Sequence, residues 1–405
     1  MNVIILLLDA LGLFFLFRYA SQSIKAFRAA EDKRAFFTFH RFRHVIGLSL
    51  AVGIPLALGN FIFPRVFPEL MLQRHVSEAV LWWLSVVLAF FISGVWAVYV
   101  QRLDIYQSEA RANLIATFAL AALATRYLCG WMYGQLDAYG FSLYTSDSPV
   151  YQFLYCVFAI GGIEELCKIL PVLILLLIRK SPVDEPYDYI LYASVSALGF
   201  AFVENIDYIF YSGLRNIGGR ALYAAVAHMT FTSIFCYALM LWRYGYSRIK
   251  GVVLLPLFFL LAMAAHGFYD FWLINNWVVE YQALTTVFFL ITVHLWVTMK
   301  NNAINVSNYY SPDASLNNDS LRYYLIISLA GLLMLGYLAA VLMYGRAAAN
   351  RYLFFDILAY GYLIFYLAFG LSRYKIVRDE LNPFQVPFDF FVPKPSVAEK
   401  EEHAA

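Results

Sequence analysis

Gly161-Gly162-Ile163-Glu164-Glu165-Leu166-Cys167-Lys168 sets two carboxylates and an ammonium in the middle of an otherwise apolar run from about Val150 to Ile178. A run of that length can cross a bilayer, which takes about 20 mostly apolar residues. A charge near its centre nevertheless costs at least ~2.5 to 3.5 kcal/mol, even on insertion scales. Such groups belong on a face turned into a helix bundle, so the stretch reads as one helix of a polytopic membrane protein with a functional site in its interior. The spacing agrees. At about 100° per residue, Lys168 lies roughly 40° round the helix from Glu164 and roughly 60° from Glu165 on the other side, so one ammonium reaches both carboxylates.

Composition extends this reading to the whole chain. With 62% apolar, 19% aromatic and 14% charged residues among 405, there are too few polar side chains to cover a soluble surface. Runs near 2–18, 45–63, 79–101, 113–133, 150–178, 190–212, 221–242, 251–275, 277–299, 322–344 and 352–372 predict an all-α transmembrane bundle of about 11 spans. The first run lacks a basic leader and a cleavage site, and reads as a retained signal anchor. Most of the 29 lysines and arginines fall on alternate loops of one side, with Arg65, Arg74, Arg215, Arg220, Arg346 and Arg351 on the other. By the positive-inside rule the N-terminus is outside and the C-terminus cytoplasmic. The net charge of +2 follows this topology and gives no reason to expect nucleic acid. Cys129, Cys156, Cys167 and Cys236 all sit in apolar runs without metal-ligand spacing and read as small packing residues, with no disulfide implied.

The organisation predicted is four spans in 1–149, a four-span core in 150–276, three spans in 277–378 with a flexible polar loop at 301–321, and a poorly ordered tail at 379–405. Each core helix carries polar groups of its own. After Glu164, Glu165 and Lys168 come Glu204 and Asn205 in Gly199-Phe-Ala-Phe-Val-Glu-Asn205, then His228 with Thr232, then His266 with Asp270 one turn on. A single buried acid or histidine is commonly a satisfied hydrogen bond between helices, but four consecutive helices each contributing one argue for a shared cavity. With ~1.5 Å of rise per residue, Glu164, Glu204, His228 and His266 fall at similar depths, roughly 12 to 22 Å below the outer face.

At these residues the chain resembles the PrsW family of intramembrane proteases, within the wider group of CAAX prenyl proteases and bacteriocin-processing membrane enzymes. Its Glu-Glu-x-x-Lys motif matches Glu164, Glu165 and Lys168, and its Phe-x-x-x-Glu-Asn motif matches Phe200, Glu204 and Asn205. Its third and fourth motifs match His228 and His266 with Asp270. The match spans about Val150 to Trp277. The CAAX enzymes carry His where this chain has Glu204 and Arg where it has Lys168, which weighs against carrying over their prenylated substrates.

The resemblance implies a peptidase acting on a membrane-protein substrate, such as a single-span anti-sigma factor, in the cytoplasmic membrane of a bacterium. It suggests Glu164 as the water-activating base, with Glu165 and Lys168 tuning its charge. His228, Asn205 and His266 would polarise the carbonyl or hold water, and Asp270 would orient His266. No cofactor is required on this reading. Zinc is the alternative, with Glu204, His228 and His266 as ligands; the missing His-Glu-x-x-His helix and the ammonium of Lys168 beside the carboxylates favour the metal-free form. A proton-coupled transporter using the same acids, or a non-catalytic scaffold, are the readings from other classes.

Overall fold

Apolar runs with few internal breakers become helices throughout. The computed structural model describes residues 76–178, 181–275, 283–311, 314, 317–372 and 376–384. The two earliest runs, with the signal-anchor reading and the placing of the N-terminus, lie outside these residues, as does 385–405. Nine helices occur among the described residues: α1 (Glu78–Arg102), α2 (Arg111–Ala138), α3 (149–177), α4 (Pro186–Tyr211), α5 (Ile217–Arg243), α6 (Gly251–Ile274), α7 (Ala283–Asn305), α8 (Asn318–Tyr344) and α9 (Arg346–Leu371). All but α3 are long and apolar enough to cross a membrane; α3 is the helix interrupted by Glu164, Glu165 and Lys168. Among the described residues all regular structure is helical, and the chain is an integral membrane protein. Local chemistry sets the ends: the Ser77 hydroxyl accepts the Val80 N–H at the start of α1, and Pro149 and Pro186 occupy first turns, where a missing N–H costs nothing.

α4 and α5 form the centre. Of their most apolar stretches 78% and 89% are buried, against 33% for α6 and α9. α1 and α2 pack on α4, while α6 and α7 pack on α5. The outer helices turn Trp83, Phe90, Val252 and Leu257 outward, as lipid contact permits.

Three of the helices contain a π-turn: Ala124–Cys129 in α2, Tyr155–Gly161 in α3 and Arg220–Ala224 in α5. Glycine brings the site helices close together. A Cβ on Gly161 would lie 2.5 Å from the Met263 carbonyl oxygen, and one on Gly267 would lie 2.4 Å from Val157 Cα, so α3 and α6 cross backbone to backbone there. Gly199 gives α4 the same intimacy with α2 at Phe118. The four cysteines are free and buried, and Cys129 and Cys167 pack with Ile163 and Phe200 beneath the site.

The predicted polar loop differs in part. α7 continues to Asn305, with Lys300, Asn302 and Asn305 buried. The reason is a backbone partner: Asn302 Nδ2 donates to the Asn382 carbonyl and Asn382 N–H to Asn302 Oδ1, at 2.9 and 2.8 Å. Asn305 Nδ2 donates to the Glu380 carbonyl at 3.1 Å, and Val377 N–H to Asn305 Oδ1 at 3.0 Å. Residues 376–384, the last of which were expected in a loose tail, are thus held by the end of α7.

Candidate functional site

Five helices meet at the Glu164 cluster. On α3, the i,i+4 and i,i+3 spacings put Lys168 Nζ 3.3 Å from Glu164 Oε2 and 2.9 Å from Glu165 Oε1. Its third N–H goes to His228 Nδ1 on α5, at 2.9 Å. An ammonium has three protons and no lone pair, so Lys168 is fully engaged, and its charge also rests over the Phe200 ring with Nζ 4.1 Å from the centroid.

That bond fixes the tautomer of His228. Nδ1 accepts from Lys168, so Nε2 carries the proton and donates to Glu204 Oε2 on α4, at 2.8 Å. On α6, His266 Nδ1 lies 2.8 Å from Glu165 Oε1 and 3.4 Å from Lys168 Nζ. One ring nitrogen cannot donate to the carboxylate and accept from the ammonium at once; the shorter contact prevails, and His266 Nδ1–H donates to Glu165. His266 Nε2 faces Glu164 Oε2 at 3.4 Å and Asp270 Oδ2 at 3.3 Å. With Asn205 joined to Glu204 through Arg220, all eight residues singled out from the sequence fall in one connected network.

The two adjacent glutamates occupy different environments. Both oxygens of Glu165 are committed, Oε1 to Lys168 and His266 and Oε2 to the Thr232 hydroxyl at 2.8 Å. Glu164 has looser bonds: Tyr133 donates to Oε1 at 3.1 Å, while Lys168 and His266 approach Oε2 at 3.3 and 3.4 Å. Accessibility follows the same division. The side chains of Glu165 and Lys168 are wholly enclosed, whereas those of Glu164, Glu204 and Asp270 are 10%, 20% and 22% exposed. The cluster opens on the side of these three carboxylates.

Several residues of the network were not anticipated. Arg220, counted with the loop charges in the sequence, is buried and donates from Nε to Asn205 Oδ1 and from a terminal nitrogen to Glu204 Oε2. The Tyr208 ring lies against its guanidinium, 4.3 Å from centroid to Cζ. Tyr133 holds Glu164, and Phe231 stacks on His266, while Thr232, noted beside His228 in the sequence, holds Glu165. Asn205 Nδ2 is buried without a hydrogen-bond partner.

One group of side chains here is spaced so that it could hold a metal ion. Glu164, His228 and His266 can each offer a ligand atom, all within 4.8 Å of one another. Glu164 stands here where the sequence reading had Glu204, whose Oε2 meets Arg220 and His228. Two imidazoles and a carboxylate are a competent donor set for catalytic zinc. Either nitrogen of His228 would have to leave its present partner, Lys168 or Glu204, to bind one.

Residues 109–298 match the family model described as PrsW family intramembrane metalloprotease. The match begins well before the stretch from about Val150 that the four motifs cover, and so includes α2 with Tyr133. Among curated proteins, the chain is 30% identical over 151 residues to Protease PrsW of Clostridioides difficile (strain 630), covering 36% of this chain and 61% of that protein. It is 31% identical over 145 residues to Protease PrsW of Oceanobacillus iheyensis, covering 36% and 64%. It is 32% identical over 125 residues to Protease PrsW of Bacillus subtilis (strain 168), covering 30% and 56%. The chain thus spans less than two thirds of the length of these relatives. No solved structure matches it.

Proposed function

We propose, on the premise that residues 109–298 make this chain a PrsW-family protein, that it is an intramembrane endopeptidase hydrolysing a peptide bond of a membrane-protein substrate. The observation that carries this reading is the contrast between the paired glutamates. Glu165 is locked on both oxygens, while Glu164 is loosely held at the open side of a buried network containing two histidines. A general base must reach its water and be free to take a proton; the looser bonds and partial exposure of Glu164 suit that role better than the locked Glu165 does.

In this mechanism Glu164 accepts a proton from water as the water oxygen attacks the peptide carbonyl carbon. Charge gathers on the carbonyl oxygen, for which the buried, unpartnered Asn205 Nδ2–H is a ready donor. The proton held by Glu164 then passes to the nitrogen of the leaving amine as the C–N bond breaks. Glu165 and Lys168 hold His266 and His228 in place, and Arg220 fixes Glu204 and Asn205. The substrate we favour is a single-span membrane protein, of which an anti-sigma factor is one example, cleaved in a bacterial cytoplasmic membrane with the C-terminus of this chain on the cytoplasmic side.

A metal-dependent version is the second reading, supported by the spacing of Glu164, His228 and His266 and by the family's description. Zinc held by those three residues would supply Lewis acidity and an activated water.

The activity is tested by comparing the membrane proteome of cells carrying the native protein with that of cells carrying Glu164→Gln at equal abundance. Accumulation of uncut single-span proteins in the variant is expected; identical proteomes would overturn the peptidase reading. Elemental analysis of active, purified protein decides between the two versions. Near-stoichiometric zinc, with activity lost to a chelator and restored by zinc, would replace the metal-free mechanism with the metal-dependent one.

A further inference from the structure

A second group of acids lies far from the first. Asp104 follows α1, Glu109 precedes α2, and Asp184, Glu185 and Asp188 surround the start of α4. Glu185 and Glu204 are 19 residues apart along α4, about 28 Å at 1.5 Å per residue, so this group is separate from the peptidase site. Among the described residues none of these five carboxylates forms an ion pair with Lys or Arg.

The three most buried acids share an unusual pattern. Asp104, Glu185 and Asp188 are 4%, 1% and 0% exposed. Each commits one oxygen to the fold: Asp104 Oδ2 accepts the Glu109 N–H at 2.7 Å, Glu185 Oε2 the Ser307 hydroxyl at 2.7 Å, and Asp188 Oδ2 the Asp184 and Glu185 N–H groups at 2.9 and 2.8 Å. Each leaves its other oxygen, Asp104 Oδ1, Glu185 Oε1 and Asp188 Oδ1, buried without any partner. The capping box that Glu185 and Asp188 form at the start of α4, with the bonds from Ser307 and Glu109, accounts for the committed oxygens and not for the orphaned ones. Buried acceptors are normally satisfied, and one left alone costs about 1 to 3 kcal/mol; here there are three. The three residues can each offer an oxygen within 4.8 Å of the others, and Asp188 can do the same with Glu109 and Asp184.

We propose that Asp104, Glu185 and Asp188 bind a hard divalent cation of the Ca²⁺ or Mg²⁺ class, with Glu109 and Asp184 as flanking carboxylates. An all-oxygen donor set selects these ions over zinc or copper. Asp104 ties in the loop between α1 and α2, Glu185 the end of α7 through Ser307, and Asp188 the first turn of α4. The ion clips three elements together at one end of the bundle.

The test uses full-length protein in detergent, stripped with a chelator and titrated calorimetrically with CaCl₂ and with MgCl₂. Saturable binding of one ion per chain is expected, with a rise in the thermal unfolding midpoint that follows occupancy. In an Asp104→Asn/Asp188→Asn variant the affinity is expected to fall at least about 100-fold, as removal of charged ligands does. The stripped variant is expected to unfold at or above the stripped native protein, because amides remove the repulsion between dry carboxylates. If this variant does not fold, Glu185→Gln is used in its place, with the same loss of affinity expected. Absence of saturable binding of either ion by native protein, or undiminished binding by the folded variant, would overturn the proposal. So would a stripped native protein that is more stable than the variant and indifferent to both ions, since its acids would then be held by shared protons.

Discussion

At the scale of single residues, the paired glutamates predict a separation of stability from activity. Glu164→Gln and Glu165→Gln are both expected to lower proteolysis by about 100-fold or more. Only Glu165→Gln is expected also to unfold markedly earlier, because it breaks a wholly enclosed pair with Lys168, a change that costs about 3 to 5 kcal/mol. Unfolding midpoints in detergent, measured beside cleavage rates, check this; equal midpoints would mean that the two carboxylates are equally free. Arg220→Ala is expected to lower both stability and activity, and Arg220→Lys to restore little, since an ammonium cannot reproduce a planar fork shared between Asn205 and Glu204. A cleavage assay across the pair of variants is the check. The reach of Lys168 to both glutamates was legible because helical geometry alone sets distances three and four residues apart. Arg220 was not legible, since an arginine just after Gly218-Gly219 near the start of a helix reads as a loop charge. Tyr133 was hidden for the opposite reason: hydroxyl-bearing side chains are commonplace in apolar runs and become informative only when their partner is known, so that Thr232 could be noted beside His228 without its bond to Glu165 being foreseen.

At the scale of the element, α3 and α6 depend on missing side chains. Gly267→Ala would set a methyl group 2.4 Å from Val157 Cα, a backbone atom that cannot turn aside. The two helices are expected to part, at a cost of about 1 to 3 kcal/mol, carrying the neighbouring His266 away from Glu165. Gly331→Ala in α8, where a Cβ meets nothing within 4 Å, is the control and is expected to change neither unfolding temperature nor cleavage. The positions of the helices could be read from the length of the apolar runs, because a span must be long and greasy whatever it packs against. The π-turns could not, for no residue type demands one; they arise from the fit of one helix against its neighbours.

At the scale of the molecule, the end of α7 and residues 376–384 form a joint that composition disguised. Asparagines score as loop residues, yet Asn302 and Asn305 act as templates for passing backbone, a role set by what lies opposite them. Asn302→Ala with Asn305→Ala is expected to release that segment, so that limited proteolysis cuts within 376–384 in the variant before it does so in the native protein, with little change in the unfolding temperature of the bundle. The acids near Asp104 were overlooked for a related reason: they come from two stretches of chain about 80 residues apart, and only the docking of α4 beside α1 gathers them.

The π-turns carry one more implication. Each is a helical turn holding one residue more than an α-turn would, and the turns at Tyr155–Gly161 and Arg220–Ala224 lead into or contain Glu164 and Arg220. The aim of those side chains is therefore written in the number of residues before them as well as in their identity. Loss of a single codon within 155–161 would leave α3 helical and apolar while swinging Glu164 and Glu165 about 100° away from their histidines. A lineage of such proteins could switch its chemistry off, or re-aim it, by an indel that no comparison of side chains would flag.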